Sequence, residues 1–425
     1  MAEQMMDTFA GRALSGKLGE PGWLSGLREE ALQFFQSAEI PWLEKTDLRR
    51  RGFDWLDGPE ARVHEAAKAL YDQLDGPKAL VVDGVLQFVD APVEVLEAGV
   101  IFGDLHACAS KHEKIVQKHL FSAVSHTESK WAAMNAAAFR GGVFLYVPEH
   151  VVLDRPVVII RAQTSVHAGA YPRTLVVGDV QSSGAVTEVF FRAPGTPSKE
   201  ATTSVVEVIA KADAHWKIGI VDEILDGPAH FHERRAVVDK DASVDWVFAS
   251  TGDGFAWSSL QTVLKGAGAR STMRILGTSV GRMHHDLTAK MVHQGRSTES
   301  DIVMHGVLRG RSNAVFRSCT EIVKGAVDAG SEQHDRMIVL DSSARADAIP
   351  MLLIDENDVK RCGHAASVGK IDPIQVYYLM SRGIPEKQAL KMIIWGYLEQ
   401  TVAEMPAPEA LRDLLVGRVE KGLVG

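Results

Sequence analysis

Cysteine is scarce in this chain, with only Cys108, Cys319 and Cys362 among 425 residues. An odd, sparse set excludes a disulfide framework and suits a reducing compartment. Three thiols also cannot supply a four-cysteine cluster site within one chain. Long apolar runs are missing: no window approaches the roughly 18 consecutive apolar residues of a bilayer span, and the first 30 residues carry acidic side chains and no apolar signal core. The expectation is a cytoplasmic protein without a membrane partner. A basic excess is lacking too, since 46 Lys and Arg stand against 55 Asp and Glu for a net charge of -9. That sign argues against nucleic acid, whose binding depends on clustered Lys and Arg. The one basic run, Arg49 to Arg51, is short. What remains is 46% hydrophobic and 24% charged residues, the balance of a globular protein with a real core and length for two or three domains.

Three regions follow one another. Residues 1–140 read as mainly helical around a short strand-like piece at 78–89. In SGLREEALQFFQ, Ser25 is a candidate N-cap with Leu27, Ala31, Leu32 and Phe35 on one face. PEARVHEAAKALYDQL places Pro59 at a first helical position, and a third helical pattern starts near Gly103. From 141 to 370 long helical periods vanish, and Val/Ile-rich runs such as RPVVIIRA, RTLVVGDV and DIVMHGVL alternate with turn residues. Turn signals at Arg309, Lys324 and Asp341 recur at intervals of 15 and 17 residues. Strand, turn, strand at a nearly even period predicts a solenoid with stacked parallel sheets, in preference to a β-sandwich. Residues 371–425 return to helix: Asp372 caps a helix opening at Pro373 and ending by Gly383, and Pro385 opens another. In that second helix Ala389, Leu390, Ile393, Ile394, Tyr397 and Leu398 form a stripe broader than a terminal hairpin needs for itself. Either a neighbouring helix or a partner protein is expected to cover it.

Several motifs suggest chemistry. GRALSGKL at 11–18 nearly spells a phosphate-binding loop, but Leu18 stands where Ser or Thr would bind magnesium and no strand precedes it. GTSVG at 277–281 has nucleophile-elbow spacing around Ser279, with His284, His285 and Asp286 downstream, and would make a hydrolase. That chemistry needs a helix after the turn, and RMHHDLTAKMV reads as another strand. His230 and His232 share a strand face, yet without carboxylate or cysteine partners they read as surface or turn histidines rather than metal ligands. Cys319 and Cys108 read as buried structural thiols. Cys362 and His364, in DVKRCGHAASVGK, also point one way on a strand, at the edge where the solenoid gives way to helices. Thiolate and imidazole suit Fe(II), zinc and iron–sulfur chemistry, and two ligands from one chain leave the other positions to another chain.

DVKRCGHAASVGKID followed by PIQVYYLMSRGIPEKQALKMIIWGYL closely resembles the C-terminal signature of the SufB/SufD family of iron–sulfur cluster assembly proteins. WAAMNAAAFRGGVFLYVPEHVVLDRPVVI and GRMHHDLTAKMVHQGRSTESDIVMHGVLRG resemble the family's entry into its β-helix and its central coils; the first 100 residues match only loosely. HAAS, where SufB usually carries His-Glu-Ala, points to the SufD branch, although Ala365 stands where the family usually has Gly. The resemblance implies a mainly β protein, a right-handed parallel β-helix flanked by helical regions, acting as a noncatalytic scaffold. It implies a SufB-like partner that extends the sheet, and a SufC-like ATPase docked on the C-terminal helices through Tyr377, Tyr378, Leu379, Arg382, Gly383, Ile384, Leu390, Ile393, Ile394 and Tyr397. His364, with Cys362 beside it, matches the family's ligand for iron or a nascent iron–sulfur cluster shared with SufB; no cofactor is expected to stay on this chain alone. A homodimer in isolation is left open.

Overall fold

The computed structural model describes residues 9–50, 63–163, 171–192, 202–224 and 229–424. Its N-terminal helices are α1 (Phe9–Leu18), α2 (Gly22–Ser37), α3 (Glu65–Asp72), α4 (Val93–Glu97), α5 (Leu105–Lys111), α6 (Glu113–His119) and α7 (Lys130–Ala138). Among them run β1 (Lys78–Val82), β2 (Val85–Asp90) and β3 (Ile101–Asp104). Among the described residues, strands then follow without a helix: β4 (Gly142–Val147), β5 (Val157–Gln163), β6 (Arg173–Gly178), β7 (Ser183–Arg192), β8 (Thr202–Ala210), β9 (His215–Ile224), β10 (Ala229–Val238), β11 (Ser243–Gly252) and β12 (Phe255–Leu264). They continue through β13 (Arg270–Ser279), β14 (His284–His293), β15 (Glu299–Leu308), β16 (Asn313–Ile322), β17 (Ala329–Val339), β18 (Arg345–Ala348), β19 (Met351–Ile354) and β20 (Val359–Gly369). The chain ends in α8 (Pro373–Ser381), α9 (Glu386–Ala403) and α10 (Glu409–Val424).

Successive strands alternate between two sheets. One has the order β2-β1-β5-β7-β9-β11-β13-β15-β17-β20, the other β18-β16-β14-β12-β10-β8-β6-β4-β3 with β19 also on β16. Apart from the antiparallel pairs β1/β2 and β3/β4, all pairings are parallel. The result is a β-solenoid of about seven turns with helices at both ends. Central partners lie 29 residues apart, as in Arg270↔Glu299 and Phe255↔His284, so the 15- and 17-residue intervals in the sequence are half-turns. One row of corners explains the turn chemistry. Gln181, Asp213, Asp241, Gly268, Ser297 and Asp328 all take positive φ, and each donates its N–H to the next coil, from Gln181 to Ala212 O at 3.0 Å through Asp328 to Asp358 O at 2.8 Å. Glycine is required at 268, where a Cβ would lie 2.2 Å from Asp241 Oδ1.

The solenoid interior is filled by stacked inward residues such as Trp216, Trp246, Phe248, Ile275, Met304 and Phe316. The outer face of the first sheet is covered by C-terminal helices, with Val221, Val247, Leu276 and Val307 against Ile394, Leu398, Leu411 and Leu415. N-terminal helices cover part of the second sheet through Leu24, Leu32, Ala133 and Phe139. Two buried polar anchors fix that cover. Arg28 pairs with Glu20 at 2.6 Å and donates to the carbonyls of Ala136, Ala137 and Phe139, where α7 ends. Glu207 pairs with Arg173 at 2.6 Å and accepts from the N–H groups of Phe121, Ala123 and Val124.

Several local expectations change. The helix containing Ser25 begins earlier, at Gly22, because Pro21 in extended geometry sets its start. GRALSGKL lies within α1, so it forms no phosphate-binding loop. Pro59 lies outside the described residues, and α3 starts at Glu65 behind a cap from His64. The strand-like piece at 78–89 is a hairpin that joins the first sheet, so the helical N-terminal region shares the solenoid's core. Asp372 does cap α8, accepting from Ile374 N at 2.8 Å with Pro373 in the first turn.

Candidate functional site

β20 is the last strand of the first sheet and carries both Cys362 and His364. It pairs with β17 from Ala329↔Val359 to Ile338↔Gly369, and among the described residues no strand pairs with its other edge. Register sets Cys362 beside Ser331, His364 beside Gln333 and Val368 beside Met337. Ser331, Gln333 and Met337 are buried inward residues, so Cys362, His364, Ala366 and Val368 continue the interior column. No further coil lies over them: Cys362 is half-buried, and every residue from His364 to Lys370 is exposed.

Burial, and then the Glu332 carboxylate, push the Cys362 thiol up, so it holds its proton until a metal or a base takes it. Among the described residues no three His, Cys, Asp or Glu side chains converge as a metal cage. Beneath β20 lies a feature the sequence reading missed, a stack of polar side chains inside the last coils. His293 Nδ1 is 2.8 Å from Thr298 Oγ1, and its Nε2 is 2.8 Å from Ser300 Oγ. Ser300 donates to Ser331 at 2.9 Å, and Ser331 lies 2.8 Å from Thr320. Gln333 donates to Thr320 Oγ1 at 2.7 Å and to Met351 O at 3.1 Å, while Ser318 Oγ is 3.0 Å from Gln333 Oε1 and donates to Asp335 Oδ2 at 2.5 Å. Burial pushes Asp335 up to about 6 against the lowering effects of Ser318 and His364. Burial likewise depresses His293 to about 4. The available signal was period two: Ser318/Thr320 and Ser331/Gln333/Asp335 alternate with outward residues on adjoining strands.

The C-terminal helices divide into an exposed part and a covered part. Ile374 and Tyr377 are 74% and 72% exposed on α8, and Tyr378, Met380, Arg382 and Gly383 are exposed as well. Leu379, Ile384, Leu390, Ile393 and Tyr397 are half-buried. Ile394 departs from the expected partner-facing set: it is 4% exposed and packs in the core between α9 and the sheet. Ala389 and Leu398 are buried too, so the solenoid's own sheet covers much of the apolar stripe. Tyr397 lies against His305, the rings tilted by 33° with centroids 4.3 Å apart, and its hydroxyl donates to Arg336 O. A cavity of about 620 Å³ opens between α8, α9 and the end of β17, floored by Leu340, Val376, Met380 and Leu390 and edged by Lys370 and Lys387.

The other candidates resolve as structure. Ser279 ends β13, is buried, and is followed by a turn at Gly281 and another strand, so no nucleophile elbow forms. His284 Nε2 is 2.9 Å from Thr46 Oγ1, while Asp286 accepts from Thr46 and pairs with Arg317 at 2.9 Å. His230 and His232 are neither surface nor turn residues: both are buried inside the solenoid, and His232 Nδ1 is 2.6 Å from Ser204 Oγ. Their even positions put them in the interior column of β10 with Ala236 and Val238. Cys108 and Cys319 are buried as expected.

Known proteins match along the length of this architecture. The family model described as "SUF system FeS cluster assembly, SufBD core domain" matches residues 159–397, and "SufBD protein N-terminal region" matches residues 60–159. The iron-sulfur cluster assembly protein SufD of Bacillus subtilis (strain 168) is 33% identical, over 96% of each chain. An iron-sulfur cluster assembly SufBD family protein of Staphylococcus aureus (strain USA300) is 29% identical over 93% of this chain and 84% of its own length. With the core match running through the solenoid and β20 into α9, the chain belongs to the SufBD family of iron–sulfur cluster assembly proteins.

Proposed function

We propose that the chain is the SufD-type, noncatalytic subunit of a cytoplasmic SUF assembly complex. The observation that carries this reading is the edge of β20, unpaired among the described residues, which bears a thiol and an imidazole on one face. An open strand edge recruits another strand, and a SufB-type subunit pairing there would extend the sheet and bring further ligands to His364 and Cys362. Iron or a nascent iron–sulfur cluster is then cargo held between two subunits. A SufC-type ATPase docks on the exposed face of α8, with Tyr377 and Tyr378 as anchors of the kind that dominate interfaces.

Iron and sulfide content of the co-expressed complex tests the ligand role. His364→Ala is expected to lower both severalfold while the subunits still co-purify; unchanged content would leave His364 a bystander. Removal of residues 371–425 would strip the first sheet of its cover, so point substitutions test docking instead. Tyr377→Ala with Tyr378→Ala is expected to reduce recovery of the ATPase subunit, and equal recovery would sink that assignment.

A further inference from the structure

The polar stack below β20 has its hydrogen bonds distributed unevenly. Gln333 uses both its amide nitrogen and its carbonyl oxygen, so it is locked in place. Asp335 is 2% exposed and accepts from Ser318 through Oδ2, but its other oxygen, Oδ1, is buried with no hydrogen-bond partner among the described residues. A buried carboxylate oxygen without a donor is costly, and a native structure generally gives it a use. The surroundings of Asp335 show which side is open. In register it lies between Met304 on β15 and Ala366 on β20. Ala366 contributes only a methyl group, which leaves room above the carboxylate. His364 stands two residues earlier in the same inward column, diagonal to Asp335, and its exposed ring would reach that carboxylate by turning inward. Long side chains bridge such diagonal positions on neighbouring strands.

We propose that Asp335 is a positioning residue for His364, its Oδ1 accepting the proton-bearing ring nitrogen so that the other nitrogen is held lone-pair outward, toward the edge where cargo arrives. A ligand histidine commonly has one ring nitrogen anchored by a carboxylate, which fixes both tautomer and ring plane. Ser318 and Gln333 hold Asp335, and Asp335 holds His364. The inference rests on the reading of His364 as a cargo ligand, and its primary test does not need the cargo.

Long-range nitrogen–proton correlation spectra of the isotope-labelled chain, with the His364 signals assigned by their loss in His364→Ala, report the ratio of the two neutral tautomers. Wild type is expected to favour one tautomer by about fivefold or more, the factor a single ordinary hydrogen bond supplies. Asp335→Asn is expected to bring the ratio toward that of a free imidazole, and Ser318→Ala, which removes one support of Asp335 but keeps the carboxylate, to lower the bias only in part. An unchanged ratio in Asp335→Asn overturns the proposal, as does an equal loss of bias in Ser318→Ala, which would assign the effect to packing. In the co-expressed complex Asp335→Asn is further expected to reduce bound iron, by no more than His364→Ala does. If His364→Ala leaves iron content unchanged, the cargo role fails, while the tautomer ratio still decides the role of Asp335.

Discussion

The two ends of the first sheet are built in opposite ways. At the N-terminal end β2 turns back antiparallel on β1, is only six residues long, and its register shifts between Leu80 and Val81. Tyr71 and Lys68 of α3 lie against Phe88 on β2. A short, reversed strand of this kind ends a sheet. At the C-terminal end β20 runs 11 residues in parallel with β17, without proline, and leaves Val368 46% exposed. Repeat architectures need their ends covered. In the complex proposed above, the parallel β20 edge is the one that a partner strand extends.

The largest expected effect falls on the N-terminal helices that cover the second sheet. Arg28 is fully buried, and Arg28→Ala would leave Glu20 without its cation and three carbonyls without donors, at a cost of about 3–5 kcal/mol. Chemical unfolding should show that loss, whereas His364→Ala at the exposed edge of the first sheet should stay within about 0.5 kcal/mol of wild type. Comparable losses for the two variants would remove the distinction between covered and open surfaces. Next in size, Ala366→Lys with Val368→Lys places charge on the open edge and should weaken association with a SufB-type subunit at least about tenfold. The matched pair at the other end, Phe88→Lys with Val89→Lys, should leave that association unchanged. Titration in surface-immobilised binding experiments would separate the two outcomes.

The covered second sheet and the polar stack also differ in their response to pH. Burial, more than the hydrogen bond from Ser129 opposes it, raises Glu233 beneath the N-terminal helices from 4.5 to about 7. Its contribution to stability is present below about 4.5 and is lost as pH rises through 7. His293 in the stack under β20 is depressed by burial from 6.5 to about 4, so its contribution is present above 6.5 and is lost as pH falls through 4. Urea midpoints across this range should therefore show Glu233→Gln flattening a decline toward higher pH, and His293→Gln flattening a decline toward lower pH. Identical pH profiles in the two variants would contradict the assignment.

How far the sequence revealed this contrast depends on the range of the interactions. The solenoid was legible because its corners place turn residues at a nearly even spacing, and because its strands alternate by twos. Cys362 and His364 were legible as a same-face pair, since strand geometry is local. The interior placement of His230 and His232 was not legible, because it depends on which face of β10 closes the solenoid. The stack from His293 to Asp335 joins the consecutive strands β14, β15, β16 and β17 across both sheets, through polar groups that look like ordinary turn and surface residues. The apolar stripe on α9 was visible, but its cover was a sheet formed up to about 170 residues earlier, Val221 being one of its partners.

The smallest expected effect concerns how the C-terminal helices hold the last coils. Tyr397 donates to the backbone oxygen of Arg336 on β17, the strand on which β20 lies, and its ring contacts His305 and the Arg336 guanidinium, whose carbon is 5.3 Å from the ring centroid. Tyr397→Phe keeps the ring and removes only the hydrogen bond, so the cost should be about 0.5–1.5 kcal/mol. Because β17 supports the open edge, hydrogen exchange in β20 should rise with it while exchange in β1 and β2 stays fixed. If exchange rises equally at both ends, the solenoid loosens as one unit, and the open end owes nothing particular to the helix beside it.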